Sequence, residues 1–178
     1  GKYAPGTGHD ELTDCLLCAA GKYYEHAAQC SDVCLDCDAG KYLDTEGNDE
    51  ATDCEDCVCG KYSTVPAATA IDTCVDCVAG KYAQGTGNDE EADCVLCAAG
   101  KYYEQAAQCS DVCLDCDAGK YLTTEGNNDP FDCVDCVCGK YSTVPAATAI
   151  DTCVDCVAGK YASGAGNDEE TDCDLCAA

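Results

Sequence analysis

The chain has 178 residues, of which 22 are cysteine, about one in eight and above the ~8–10% that marks a disulfide scaffold. Leu, Ile, Val and Phe total only 24 and Met and Trp are absent, so apolar burial cannot offset an ordering cost of roughly 1–2 kcal/mol per residue, and covalent or metal staples must hold the fold. Nine basic against 35 acidic side chains give a net charge of −26, which opposes binding to nucleic acid phosphates or to an anionic membrane surface and leaves cations or basic partners as counterparts.

Along the chain, Gly-Lys-Tyr begins at residues 1, 21, 40, 60, 80, 100, 119, 139 and 159. Nine modules follow: residues 1–20, 21–39, 40–59, 60–79, 80–99, 100–118, 119–138, 139–158 and 159–178. Each ends with one Cys-x-x-Cys: Cys15/Cys18, Cys34/Cys37, Cys54/Cys57, Cys74/Cys77, Cys94/Cys97, Cys113/Cys116, Cys133/Cys136, Cys153/Cys156 and Cys173/Cys176. All nine Lys and nine of the eleven Tyr belong to the tripeptide. Residues 1–79 match residues 80–158 at 67 of 79 positions without a gap, and residues 159–178 begin a third copy. One supermodule is therefore four modules. Its sequence stops in mid-pattern, which is expected of a fragment of a longer, quasi-one-dimensional array.

Each module predicts short strands and turns. Gly6-Thr7-Gly8-His9-Asp10, Gly47-Asn48-Asp49 and Gly87-Asn88-Asp89 are turn sequences, where Gly and Asn supply positive φ. Glu25 to Gln29 and Glu104 to Gln108 are the small helical candidates, and Val65 to Ala70, with its copy at Val144, reads as an extended or turn connector. No window approaches the ~18 apolar residues of a membrane-spanning helix. The expected fold is a small disulfide-rich repeat array of short strands and turns with little helix, an elongated rod or solenoid without a conventional hydrophobic core.

The cysteine spacing also fits structural zinc. Nine consecutive pairs in an acidic chain without Arg, with Cys30, Cys59, Cys109 and Cys138 outside the pairs, favour an oxidised extracellular or cell-surface scaffold in which all 22 form disulfides. Redox catalysis would need a βαβ context that the chain lacks. Two pairings stand open. In one, the second cysteine of each pair reaches the first of the next: Cys18–Cys34, Cys37–Cys54, Cys57–Cys74, Cys77–Cys94 and onward, with Cys15 and Cys176 pairing outside the segment and Cys30 and Cys59 left for each other or for another strand. In the other, the extra cysteines pair locally: Cys18–Cys30, Cys34–Cys54, Cys37–Cys57, Cys59–Cys74 and Cys77–Cys94.

Cys-x-x-Gly-Lys-Tyr, a Gly/Asn/Asp loop and Cys-x-x-Cys resemble the ephrin-receptor-like cysteine-rich repeat and, more distantly, the modules of tumour-necrosis-factor receptors. That resemblance spans all nine modules and implies an extracellular, elongated, disulfide-stapled architecture of the kind also used in protist and algal surface or fibre proteins. The proline that commonly follows the second cysteine there is replaced here by Ala19, Asp38, Val58, Val78, Ala98, Asp117, Val137 or Val157.

Each tripeptide tyrosine is expected to cover a disulfide and its lysine to meet a carboxylate or solvent. Tyr24, Tyr103 and Phe131 are candidates for lateral packing between chains. Acidic clusters precede the cysteine pairs at Asp10, Glu11 and Asp14; Asp49, Glu50 and Asp53; Asp89, Glu90 and Asp93; and Asp168, Glu169 and Asp172. They are solvated faces or weak Ca2+ ligands, the one cofactor candidate. No Asn-x-Ser/Thr sequon exists, whereas Ser63, Thr64 and Thr69, with Ser142, Thr143 and Thr148, cluster near proline as candidate O-glycosylation sites. His9 and His26 are replaced by Asn88 and Gln105 in the second copy, so no nucleophile and base recur and no enzyme is expected. The sequence thus points to a structural protein, a strand of an extracellular fibre, filament or surface coat that self-associates and carries glycans. A receptor-like or surface-antigen ectodomain binding a protein ligand, and a metal-binding array, are the alternatives.

Overall fold

A computed structural model describes residues 2–4, 15–25 and 33–176. These residues form a small disulfide-rich repeat array. Secondary structure comes in short pieces: nine antiparallel pairs of two-residue strands, with no α-helix among the described residues. In each pair the Lys-Tyr of the tripeptide faces the two residues between the cysteines of the same module, as in Lys22–Tyr23 against Leu35–Asp36 and Lys140–Tyr141 against Val154–Asp155. The second cysteine closes this pairing by donating its N–H to the tripeptide glycine carbonyl, Cys37 to Gly21 at 2.9 Å and Cys136 to Gly119 at 2.8 Å. An isolated two-stranded ribbon is marginal in water, so these pairs depend on what surrounds them.

The chain divides into two compact units, Gly1–Cys77 with Ala83–Cys94, and Val78–Tyr82 with Val95–Ala178. In the first unit, neighbouring modules are laced through the backbone. Gly40 N donates to Ser63 O at 2.7 Å and Leu43 N to Ala68 O at 2.9 Å, while Tyr42 forms a parallel bridge to Ala68. A second set skips a module: Gly47 N reaches Cys18 O at 2.8 Å and Ala67 N reaches Cys37 O at 2.8 Å. The second unit uses the same rules, with Gly119 N to Ser142 O at 2.8 Å and Gly126 N to Cys97 O at 2.8 Å.

This skipping contact explains the tripeptide glycine. Gly40 has φ +79°, and a Cβ there would lie 2.3 Å from the Gly87 carbonyl oxygen; at Gly119 the clash would be 2.4 Å from the Gly166 oxygen. Only glycine both adopts this conformation without cost and lets another backbone approach so closely.

Before most first cysteines the chain makes one turn of 3-10 helix, as at Ala51–Asp53, Glu91–Asp93 and Glu170–Asp172. The sequence reading did not anticipate these turns. It placed a small helix at Glu104 to Gln108 instead, and this is corrected: residues 106–108 are bends and a bridge, with Ala107 at φ 58°. Extended bridging of Gln108 to Tyr82 outcompetes a helix too short to nucleate alone. Of the other candidate, Glu25 to Gln29, all but Glu25 lies outside the described residues. Val65 to Ala70 is a turn as expected, with Ala67 left-handed at φ 51°.

Among the described residues the interior consists of the disulfides, the residue after most tripeptide tyrosines, and Ala68 and Ala147. The residue after each tripeptide tyrosine is Tyr24, Leu43, Ser63 and Ala83 in successive modules, and all four are buried. Leu122, Ser142 and Ala162 repeat this in the second unit.

Candidate functional site

The recurring chemical centre is the staple between modules. Eight bridges join the second cysteine of one pair to the first of the next: Cys18–Cys34, Cys37–Cys54, Cys57–Cys74, Cys77–Cys94, Cys97–Cys113, Cys116–Cys133, Cys136–Cys153 and Cys156–Cys173. Their Cα–Cα separations fall between 5.6 and 5.8 Å, within the normal range for disulfides. Of the two pairings open in the sequence, the structure takes the first. Cys37–Cys57 and Cys59–Cys74 do not occur, since Cys37 is bonded to Cys54 and Cys57 to Cys74.

Cys59 and Cys109 are also disulfide-bonded. Cys15, Cys138 and Cys176 have no bridge within the chain; Cys15 and Cys176 are the two expected to pair outside the segment. Cys15 is a first cysteine with no second cysteine before it in the sequence, and Cys176 a second cysteine with no first cysteine after it. Cys30 lies outside the described residues.

A tyrosine packs on each described cluster, from the module before. Tyr3 covers Cys18, Tyr24 and Cys34; Tyr23 covers Cys37, Leu43 and Cys54; Tyr62 covers Cys77, Ala83 and Cys94; and Tyr102 covers Cys116, Leu122 and Cys133. A half-exposed aromatic shields sulfur from water at low side-chain entropy cost. Tyr24, expected to pack between chains, is instead inside such a cluster, because its position is the one that faces the bridge; Phe131 is 92% exposed.

The tripeptide lysines form a cross-strand ladder. Lys41 meets Asp56 at 2.6 Å, Lys101 meets Asp115 at 2.5 Å, Lys120 meets Asp135 at 3.2 Å and Lys140 meets Asp155 at 2.7 Å; Lys22 pairs with Asp36 and Lys61 with Asp76. In the first module of each supermodule the opposing residue is Leu17, Leu96 or Leu175. The signal was legible: Cys-x-Asp-Cys marks an ion-paired module and Cys-x-Leu-Cys one without that partner. Hydrogen bonds from Lys41 and then Thr86 hold the Asp56 carboxyl below its usual range, and the Asp115 carboxylate raises Lys101. Accepting a hydrogen bond from Tyr42, Glu55 raises the phenol.

The acidic clusters are turn caps. Asp53 Oδ2 accepts from the N–H groups of Asp49 at 3.1 Å and Glu50 at 3.0 Å, and Asp93 does the same for Asp89 and Glu90, both at 3.0 Å. Asp172 caps Asp168 and Glu169 identically at 3.0 Å. In place of the aspartate, Thr73 and Thr152 bond backward to Ala70 O and Ala149 O. This reciprocal capping was readable as an acidic residue three positions before the aspartate that precedes the first cysteine. Among the described residues no group of three or more His, Cys, Asp or Glu is placed to share a metal ion. Asp10, Glu11, Asp14, His9 and His26 lie outside those residues.

The O-glycosylation candidates divide. Ser63 and Ser142 are each 1% exposed, packed where Leu43 and Leu122 stand in the preceding modules, so neither hydroxyl is available to a glycosyltransferase. Thr64, Thr69, Thr143 and Thr148 are exposed.

No helix among the described residues is long and apolar enough to cross a membrane. No protein-family model matches the chain, and no curated protein matches it.

Proposed function

We propose that the chain is a structural protein, the repeating disulfide-stapled strand of an extracellular fibre, filament or surface coat, and not an enzyme. The observation that carries this reading is repetition of one linkage. Eight bridges of the same kind and span recur at sequence separations of 16 or 17 residues, and the recurring residues of the modules serve this linkage. Glycine admits the backbone of the module after next, tyrosine shields sulfur, and in the Cys-x-Asp-Cys modules lysine and aspartate close the strand pair.

The mechanism is mechanical. Closing a loop of this size stabilises by roughly 3 kcal/mol on the chain-entropy model, and it also caps how far each module can be drawn out under load. Dense bridging fits an oxidising, secreted setting. The resemblance to ephrin-receptor-like repeats supports the same architecture, and the exposed Thr64, Thr69, Thr143 and Thr148 offer attachment points for O-linked glycans on the anionic surface.

Electron microscopy of the oxidised protein tests the reading. Filaments with an axial period set by four modules are expected. Discrete particles at every concentration, binding a protein ligand through their loops, would favour the receptor-like alternative and overturn the fibre.

A further inference from the structure

The order of the staples along the chain decides where tension runs. Each bridge closes a loop, and the chain leads from one staple to the next through a single Cys-x-x-Cys, as from Cys54 to Cys57 or from Cys113 to Cys116. Load on the oxidised chain therefore passes through the sulfurs and bypasses the loops. With 5.6 to 5.8 Å between Cα atoms across a bridge and about 11 Å for the extended Cys-x-x-Cys, this path reaches at most about 17 Å per module, against about 70 Å for an unbridged module. Cys59 and Cys109, which are also bonded, can only shorten it.

Burial closes the same path to thiols in the relaxed chain. In seven of the eight staples the second cysteine is at most 1% exposed. The cover over a staple comes from the loop of the staple before it. Tyr23 lies in the loop closed by Cys18–Cys34 and packs on Cys37 and Cys54; Tyr102 lies in the loop closed by Cys97–Cys113 and packs on Cys116 and Cys133. Around Tyr102 that loop is held by a two-residue strand pair and by the hydrogen bond from Cys116 N to Gly100 O at 2.9 Å. Straightening the load path turns a staple away from the loop behind it, and these non-covalent contacts yield long before a covalent bond does.

We propose that the staples are force-gated redox sites, closed to thiols while the array is relaxed and opened when tension draws each one from under the tyrosine of the preceding loop. This inference rests on the fibre reading, which is what places the chain under load. The chemistry is thiol–disulfide exchange with a dithiol reductant. One dithiol thiolate attacks the Cys133 sulfur and expels the Cys116 thiolate; the second dithiol sulfur then attacks the first, expels the Cys133 thiolate and closes a cyclic disulfide. The bridge gains two electrons and two protons, and the dithiol loses them.

The test holds the oxidised 178-residue chain, its unpaired thiols blocked, between its ends at constant force with and without dithiothreitol. Each staple reduced under load frees 16 or 17 residues and should add a step of about 50 Å, only when the dithiol is present and faster at higher force. In the slack chain, alkylation of released thiols should find Cys116–Cys133 reduced roughly tenfold or more slowly than in the same chain unfolded in guanidinium. Tyr102→Ala should remove much of that protection and leave Cys37–Cys54, covered by Tyr23, as it was, whereas Tyr102→Phe should retain it. Equal reduction of slack and unfolded chains, such steps without the dithiol, or unchanged protection in Tyr102→Ala would overturn the proposal. Filaments whose staples reduce as fast slack as stretched would sink the gating and leave the fibre reading standing; gated reduction in a chain that never forms filaments would do the reverse.

Discussion

At the scale of single residues, the glycines separate two costs that are usually confounded. Gly85 and Gly119 both have positive φ, +75° and +82°, but a Cβ at Gly85 meets nothing within 4 Å while one at Gly119 lies 2.4 Å from a backbone oxygen. Gly85→Ala should therefore cost about 1–2 kcal/mol, the left-handed penalty alone. Gly119→Ala should cost at least twice that, because the backbone of the module after next must retreat. Thermal unfolding of the two variants compares them; equal losses would show that the close approach carries no energy. Asp56 makes a pH statement of similar precision. Its carboxyl is held below the ordinary 3.8, first by the hydrogen bond from Lys41 and then by that from Thr86. The stabilisation is present above about pH 4 and lost as pH falls through the lower folded value. With both partners more than a third exposed, 35% and 39%, it is worth at most ~1 kcal/mol. Asp56→Asn should lower stability by at most ~1 kcal/mol at neutral pH and leave it unchanged in acid below the folded value, so that the acid limb flattens; an unchanged acid limb would contradict the pairing.

At the scale of elements, a two-residue strand pair has almost no stability of its own, so the staple and the cap decide whether a module is ordered. Replacing Cys77 and Cys94 together by Ser should cost about 3 kcal/mol, with protease sensitivity appearing first in that module; an unchanged unfolding midpoint would mean that backbone lacing alone suffices. Asp93→Ala removes the acceptor of two N–H groups and should cost about 1 kcal/mol, read by faster amide exchange at Asp89 and Glu90. Part of this level is legible in the sequence, since the module length, the presence of short strands and the connector turn at Pro66 follow from period and residue type, while the positions of the strands do not. Pairing was not legible, because both schemes close loops of similar length. Ser63 misleads for a related reason. Proximity to Pro66 and Thr64 reads as an exposed glycosylation tract, while alignment with Leu43 and Ala83 would have placed it inside. The acidic clusters read as solvated faces or weak Ca2+ ligands because carboxylate spacing alone does not reveal that Asp53, Asp93 and Asp172 accept from the chain's own N–H groups.

At the scale of the whole molecule, the charge of −26 sets the terms of the assembly we propose. Among the described residues six lysines are held in ion pairs within the modules, so copies approaching one another would meet mainly carboxylates. Raising ionic strength from about 0.01 M to 0.15 M shortens the screening length from roughly 30 to 8 Å. Lateral association measured by light scattering should rise over that range; association that weakens with salt would indicate a basic partner instead of a second copy. The account rests above all on one connectivity, in which the second cysteine of each pair reaches forward to the first of the next and so replaces a hydrophobic core. Non-reducing peptide mapping of the oxidised chain, with fragmentation that locates each sulfur, tests it most directly. The result predicted is Cys57 joined to Cys74 and Cys37 joined to Cys54; Cys59 joined to Cys74 together with Cys37 joined to Cys57 would contradict it.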